Sequence, residues 1–211
     1  MKVRAPLNRK TWTITDVTDV FGPSAILRSY LEQRDVRRYL QRAAARVPIA
    51  CAVDVGCGYG RLTPVLTECA SRVIGCEREA SLLEIARPLQ PNVTFVECPT
   101  LAALPLTDGS VEFVMAFTVL QHMADAHAEA VLGEIRRITT PRAHVLLVEE
   151  TDVTLEAGDA AQPDLGYTRG RDVRWYADRM PGFSLVETAP RQIEPGYPRP
   201  DVGTYMFFSK G

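Results

Sequence analysis

The chain has 211 residues, of which 46% are hydrophobic and 24% charged, and its formal net charge is −2. This length and apolar content suit one well-cored domain, and the near-neutral charge favours neither nucleic acid nor an acidic membrane surface as a partner. No segment reaches the roughly 18 apolar residues of a membrane span, and the N-terminus lacks the apolar core of a signal peptide, so we expect a cytoplasmic protein without a membrane partner.

The cysteines are odd in number, and no two of them form a C-x-x-C pair. They stand at Cys51, Cys57, Cys69, Cys76 and Cys98. Together with three scattered histidines, this pattern predicts buried, reduced thiols and no metal centre.

The first predicted element is a helix from Ser24 to about Val47, with Ser24 as its N-cap. Its apolar residues fall largely on one side. A second stripe carries arginines at i+4 spacing, namely Arg34, Arg38, Arg42 and Arg46. The stripe is interpreted as a solvated helix face, and a phosphate-binding stripe is the alternative, which the acidic balance disfavours.

After Pro48, buried strands alternate with helices. The strands are "IACAVDV", "RVIGCE", "NVTFVE", "SVEFVMAFT" and "AHVLLVEE", and the helices are "RLTPVLTECAS", "ASLLEIARPL" and "HAEAVLGEIRRIT". Such alternation predicts a parallel sheet with helices on both faces. Residues 151–168 lack periodicity and are predicted to form a functional or disordered loop.

The last segment breaks the alternation. "GRDVRWYADRM" is predicted to be a helix, and "FSLVETAPRQI" and "GTYMFFSKG" are strand-like. The link between these two strands is too short for a crossover helix, so they are predicted to be antiparallel. The expected fold class is thus α/β, a Rossmann-like, seven-stranded, mostly parallel sheet with a C-terminal antiparallel pair. The whole chain, 1–211, is one domain, in which 48–211 form the core and 1–47 a helical segment covering the ligand site.

A glycine-rich turn, "VDVGCGYGRLT", follows the first strand. The dinucleotide fingerprint G-x-G-x-x-G would place its third glycine at position 61, where the chain has Arg61. The turn instead resembles motif I of the class I S-adenosylmethionine-dependent methyltransferases. "LPLTDGSVEFVMAFTVLQHM" is similar to a second motif of that family, and the likeness extends over about residues 50–210, closest to the small-molecule group called type 11.

The resemblance implies S-adenosylmethionine as cofactor and a set of residues that hold it. Asp54 is expected to hold its ammonium group through water, the glycine backbone to receive its methionyl part, and Glu77 to accept its ribose hydroxyls. The cofactor-binding residues implied are Asp54, Gly56, Cys57, Gly58, Gly60, Arg61, Glu77, Arg78, Thr100, Leu101, Phe117 and Thr118, with no metal ligand.

The chain departs from the family after its third strand. Many members have Gly-Asp there, with the Asp receiving the adenine amino group, whereas this chain has "ECPT" and places Thr100 at that position. A hydroxyl can accept one hydrogen bond, and the backbone around Leu101 is expected to contribute the rest.

His122 is the candidate catalytic residue. An imidazole titrates near neutral pH and can take a proton from a hydroxyl acceptor, although the family motif often has a histidine here that only packs locally. Both interpretations stay open. His144 and His127 are expected to be structural and solvated, respectively.

The implied function is methyl transfer to an N or O atom of a small molecule. Its binding walls are expected to include Trp12, Phe21, the loop 151–168 and Tyr197, and Glu149, Glu150 and Asp152 to form an acidic rim or a solvated loop. RNA or protein methylation through the arginine stripe, and cofactor binding without chemistry, are the alternatives. An NAD oxidoreductase is the most distant alternative, and the oligomeric state is not predicted.

Overall fold

The computed structural model describes residues 25–161, 166–192 and 201–211, without the side chains at 25, 26, 192, 201 and 202. The predicted N-cap Ser24 and the predicted wall residues Trp12, Phe21 and Tyr197 lie outside these ranges. In the described chain, no helix is both long enough and apolar enough to span a bilayer.

Five α-helices and nine strands are described. The helices are α1 (Ala25–Ala44), α2 (Thr63–Leu66), α3 (Ala80–Leu89), α4 (Asp125–Ile138) and α5 (Val173–Asp178), with a 3₁₀ helix at Leu120–His122. The strands are β1 (Ile49–Val55), β2 (Ala70–Glu77), β3 (Thr94–Glu97), β4 (Val111–Phe117), β5 (Thr139–Glu149), β6 (Glu156–Ala157), β7 (Thr168–Arg169), β8 (Phe183–Gln192) and β9 (Asp201–Lys210).

Seven strands form one sheet in the order β3-β2-β1-β4-β5-β9-β8. The pairs among β1 to β5 are parallel, and β9 is antiparallel to both of its neighbours. The predicted fold class and its C-terminal antiparallel pair are therefore confirmed. From β1 the chain first adds β2 and β3 on one side of the sheet and then β4 and β5 on the other side. In parallel sheets, such a change of side opens a crevice for ligands at the carboxyl ends of the strands.

The sheet is covered on both faces because successive side chains of its buried strands point to opposite sides. On β4, Val114 and Ala116 belong to the apolar cluster that includes α4, whereas Phe113 and Met115 belong to the cluster that includes α1. This two-sided burial explains why the strands read as continuous apolar runs.

Two predicted helices end earlier than expected, and one predicted loop contains short strands. The helix predicted over "RLTPVLTECAS" is only the four-residue α2. It ends there because Thr67 Oγ1 donates a hydrogen bond to Pro64 O at 2.7 Å and because Ala70 already pairs with Ile49 in the sheet. Helix α1 ends at Ala44, three residues before the predicted end. The loop 151–168 is not wholly irregular, since β6 pairs with β7.

Candidate functional site

A cavity of about 250 Å³ opens at the carboxyl ends of β1 to β4. Its position follows from the topology, because the loops that leave parallel strands gather at one edge of the sheet. It is lined by Gly56, Glu77, Arg78, Glu79, Leu82, Pro99, Thr100, Leu101, Thr118, Val119, His122, Met123, His127 and Gly166.

The glycine turn has left-handed backbone conformations that explain its composition. Gly56 has a φ of +71°, and a Cβ there would lie 2.6 Å from the Val119 side chain. Gly58 has a φ of +56°, and a Cβ there would meet no atom within 4 Å. Gly56 therefore allows close packing within the protein, whereas Gly58 borders open space that a ligand can approach.

Glu77 ends β2 and is 7% exposed. Its Oε2 accepts the Gly58 N–H at 2.9 Å, and its Oε1 accepts the N–H groups of Arg78 at 2.8 Å and Glu79 at 3.0 Å. A carboxylate offers about four acceptor positions. Three are used to shape the turn, so one position remains for a ligand hydroxyl.

Asp54 lies behind the glycine turn. It is 3% exposed, and its Oδ2 accepts the hydroxyl of Thr63, the first residue of α2, at 2.6 Å. Burial raises the pKa of Asp54 to about 7, the Thr63 hydrogen bond opposes the rise, and the charge of Glu77 adds to it. Asp54 is thus a carboxyl group that a nearby cation would help to ionise.

The predicted cofactor residues fall into two groups. Those on the cavity wall are Gly56, Glu77, Arg78, Thr100, Leu101 and Thr118. Those beside it but not on this wall are Asp54, Cys57, Gly58, Gly60, Arg61 and Phe117. Cys57 packs with Leu83, Ala86 and Phe95, and burial raises the pKa of its thiol, in keeping with a structural side chain. Thr100 is exposed, and its Oγ1 accepts the Ala102 N–H at 3.2 Å.

A buried ion cluster that the sequence did not indicate lies next to the glycine turn. Glu32 of α1 is 0% exposed and pairs with Arg191 of β8 at 2.5 Å, with Arg28 at 3.1 Å and with Arg61. The Arg191 guanidinium lies 4.9 Å from the centre of the Phe117 ring. The cluster joins α1, the glycine turn and β8 around the end of β4.

His122 closes the 3₁₀ helix and lines the cavity. Its Nδ1 lies 2.9 Å from Tyr167 O and 3.1 Å from Thr168 Oγ1. A carbonyl can only accept, so Nδ1 carries the proton and Nε2 is unprotonated. The side-chain nitrogen of Gln121 lies 3.3 Å from the Nε2 of His122. The orientation of the Gln121 amide group is set by its Oε1, which accepts the Glu150 N–H at 2.9 Å. Burial lowers the pKa of His122, which favours the neutral ring.

Buried charges of opposite sign clamp the 3₁₀ helix. At its start, the Glu149 carboxylate accepts the N–H groups of Val119, Leu120 and Gln121 at 3.0–3.1 Å. At its end, Arg171 donates to the carbonyl oxygens of Leu120 and Met123. Each charge satisfies helix-end groups of opposite polarity.

The acidic rim and the solvated loop expected for Glu149 and Glu150 were therefore both wrong. Glu149 is 0% and Glu150 4% exposed. Burial raises the pKa of Glu149 to about 7, opposed by its three N–H donors and by Arg171. Asp152 belongs to the turn before β6, where its Oδ1 accepts the Thr154 N–H at 3.0 Å.

The cavity suits S-adenosylmethionine chemically. Glu77 keeps one acceptor position for a ribose hydroxyl, the Gly58 position next to the cavity wall is open on one side, and Thr100 and Leu101 are on the wall where they could contact an adenine. Among the described residues, no group of three or more His, Cys, Asp or Glu side chains could hold a metal ion. Sheet order and site together define the class I methyltransferase architecture.

Comparison with known proteins shows which family the central part of the chain matches. Residues 53–147 match the family described as "Methyltransferase domain", type 11. A probable S-adenosylmethionine-dependent methyltransferase of Mycolicibacterium smegmatis is 31% identical over 154 residues, covering 73% of this chain and 56% of the relative. A malonyl-[acyl-carrier protein] O-methyltransferase of Serratia marcescens is 28% identical over 131 residues, covering 62% of this chain and 50% of the relative.

Solved structures show the same fold. A methyltransferase from Leishmania major superimposes with a TM-score of 0.72 at 17% identity, over 97% of this chain and 80% of that chain. This chain spans about half the length of the curated relatives named above. Its residues 53–147 match a type 11 methyltransferase domain, and the relatives named for that match are S-adenosylmethionine-dependent methyltransferases.

Proposed function

We propose that the chain transfers a methyl group from S-adenosylmethionine to an N or O atom of a small-molecule acceptor in the cytoplasm. The observation that carries the proposal is the cavity in which Glu77, Gly56 and Thr118 meet at the carboxyl edge of the sheet. The Serratia relative is named as an O-methyltransferase, which supports an oxygen acceptor. Five free cysteines support a reducing compartment.

The chemistry is a displacement at carbon. When bound, the cofactor supplies an electrophilic methyl group: the acceptor's lone pair forms the new C–N or C–O bond, the C–S bond breaks, and its electron pair goes to sulfur. The protein's task is to align the acceptor and to exclude water, and positioning of this kind can supply about 7–11 kcal/mol of the barrier. We include in the proposal that residues 1–47 cover the site, and the contact of Glu32 with Arg61 supports this role for α1.

Calorimetry with S-adenosylhomocysteine tests the cofactor assignment. We expect binding in the micromolar range and no heat with NADH. Glu77→Ala should weaken binding roughly tenfold or more, since a hydrogen bond to a charged group contributes about 1.5–3 kcal/mol. Glu84→Ala, an exposed position on α3 outside the cavity wall, is the matched control. Tight NADH binding, or equal affinities for the two variants, would contradict the assignment.

We propose His122 as the general base when the acceptor is a hydroxyl. The geometry that supports this role is an unprotonated Nε2 on a cavity-lining ring whose lowered pKa keeps it neutral. Gln121 must move from its 3.3 Å contact for Nε2 to take a proton. His122→Asn should lower kcat by about 10²–10⁴ while the affinity for S-adenosylhomocysteine stays nearly constant. A loss of only a few-fold would assign His122 to local packing and favour an amine or carboxylate acceptor.

Macromolecular methylation through the arginine stripe has less support. Arg38 and Arg42 both pair with Glu187 of β8, and Arg34 pairs with Asp35. These carboxylates neutralise much of the charge that a phosphate backbone would need. A steep salt dependence of acceptor binding would reverse this preference.

A further inference from the structure

Thr118 has a backbone conformation that threonine rarely adopts. Its φ is +55°, in the left-handed region that costs a β-branched residue free energy. The residue immediately follows β4 and lines the cavity. Strain of this kind persists only where the surroundings enforce it, and such residues cluster at functional sites.

The surroundings enforce the strain from both sides. Before the turn, the Thr118 N–H donates to Val148 O at 2.7 Å, which keeps the residue attached to β5. After it, Glu149 accepts the N–H of Val119, and the Val119 side chain occupies the space that a Cβ on Gly56 would need. Thr118 is thus held between the glycine turn and the 3₁₀ helix that carries His122.

The hydroxyl of Thr118 has hydrogen-bonding capacity to spare. No residue in the described part of the chain hydrogen-bonds to it. We propose that Thr118, held in its strained conformation by Glu149, directs this hydroxyl to the point of methyl transfer and positions the acceptor's nucleophilic atom there. The inference rests on the proposed function and adds to it a specific positioning residue.

The layout of the cavity supports that location. In the proposed cofactor position, Glu77 accepts a ribose hydroxyl, and Thr100 and Leu101 of the same wall contact the adenine. The sulfonium is attached to the opposite side of the ribose from the adenine, so in this placement it would lie on the part of the wall formed by Gly56 and Thr118. A hydroxyl can donate and accept, so it can hold either an N or an O nucleophile.

Sinefungin tests the proposal without a known acceptor, because it carries an amine where the transferred methyl group would be. Thr118→Val keeps the β-branched shape but removes the hydroxyl, and Thr118→Ser keeps the hydroxyl. We expect Thr118→Val to weaken sinefungin binding about tenfold and S-adenosylhomocysteine binding less than twofold, whereas Thr118→Ser retains both affinities within about threefold. Equal losses for both molecules, or no loss for sinefungin, would overturn the proposal.

A second pair of variants tests the role of Glu149. Glu149→Gln removes part of the hydrogen-bond acceptor that holds the N–H groups of the 3₁₀ helix. It should lower both the melting temperature and the ratio of sinefungin affinity to S-adenosylhomocysteine affinity. Glu112→Gln alters a carboxylate that accepts the Cys51 N–H at 2.8 Å near the opposite ends of the strands, so it should lower only the melting temperature. If both lower only the melting temperature, Glu149 is not a positioning residue. Failure of the wild-type chain to bind S-adenosylhomocysteine would instead refute the proposed function.

Discussion

Replacing Glu32 with glutamine should destabilise the fold strongly. Glu32 is 0% and Arg191 2% exposed by side chain, and Arg61 and Arg28 face the same carboxylate. The isosteric change keeps the packing but leaves three guanidinium groups around a neutral side chain. Removing one partner of a buried ion pair costs about 3–5 kcal/mol, which for a chain of this size lowers the melting temperature by about 6–20 °C.

Urea unfolding measured on wild type, Glu32→Gln and Glu129→Gln gives the comparison. Glu129 pairs with Arg179 at 2.8 Å, but the two side chains are 45% and 33% exposed, so its replacement should cost about 1 kcal/mol or less. Burial alone would raise the pKa of Glu32, but Arg191, Arg61 and Arg28 together lower it. Its contribution is therefore present above about pH 4.5 and lost as the pH falls through the lowered pKa. A loss for Glu32→Gln no larger than that for Glu129→Gln would refute the reasoning.

Two further predictions concern stability. The raised pKa of Asp54 means that the folded state binds a proton more tightly than the unfolded state, so stability falls as the pH rises from about 4 to about 7. Asp54→Asn should therefore gain stability relative to wild type across this range in urea titrations, and a constant difference would contradict the raised pKa. Thr118→Asn should relieve part of a strain of about 1–3 kcal/mol and raise the melting temperature by a few degrees, while Thr94→Asn, at an exposed position of β3, should not, as scanning calorimetry can check.

The sequence predicted those parts of the fold whose causes are local. Five apolar runs separated by helical periodicity were enough for the parallel strands, and the short link after residue 192 was enough for the antiparallel pair. The extent of α2 could not be predicted in the same way. Apolar periodicity continued past Leu66, but the pairing of Ala70 with Ile49 removed the following residues from the helix.

At the site, the glycine turn and Glu77 were found from spacing, whereas the clamp and the ion cluster were not. Glu32 and Arg191 are 159 positions apart, and no periodicity relates them. Glu149 was visible only as an acid at a strand end, and its three N–H donors come from a turn about 30 residues earlier. Two adjacent acids at a strand end are typical of a solvated rim, and burial of Glu149 becomes favourable only because folding brings those N–H groups to it.

The position of β9 has a consequence for folding order. Strand β9 lies between β5 and β8 although it follows both in the chain, so β8 has no partner in the main sheet until β9 has been synthesised. Until then, the apolar strand β5 presents an unpaired edge from His144 to Glu149. An exposed edge of this kind recruits other chains. Nascent or C-terminally truncated chains that lack β9 should therefore aggregate rather than persist as partly folded monomers.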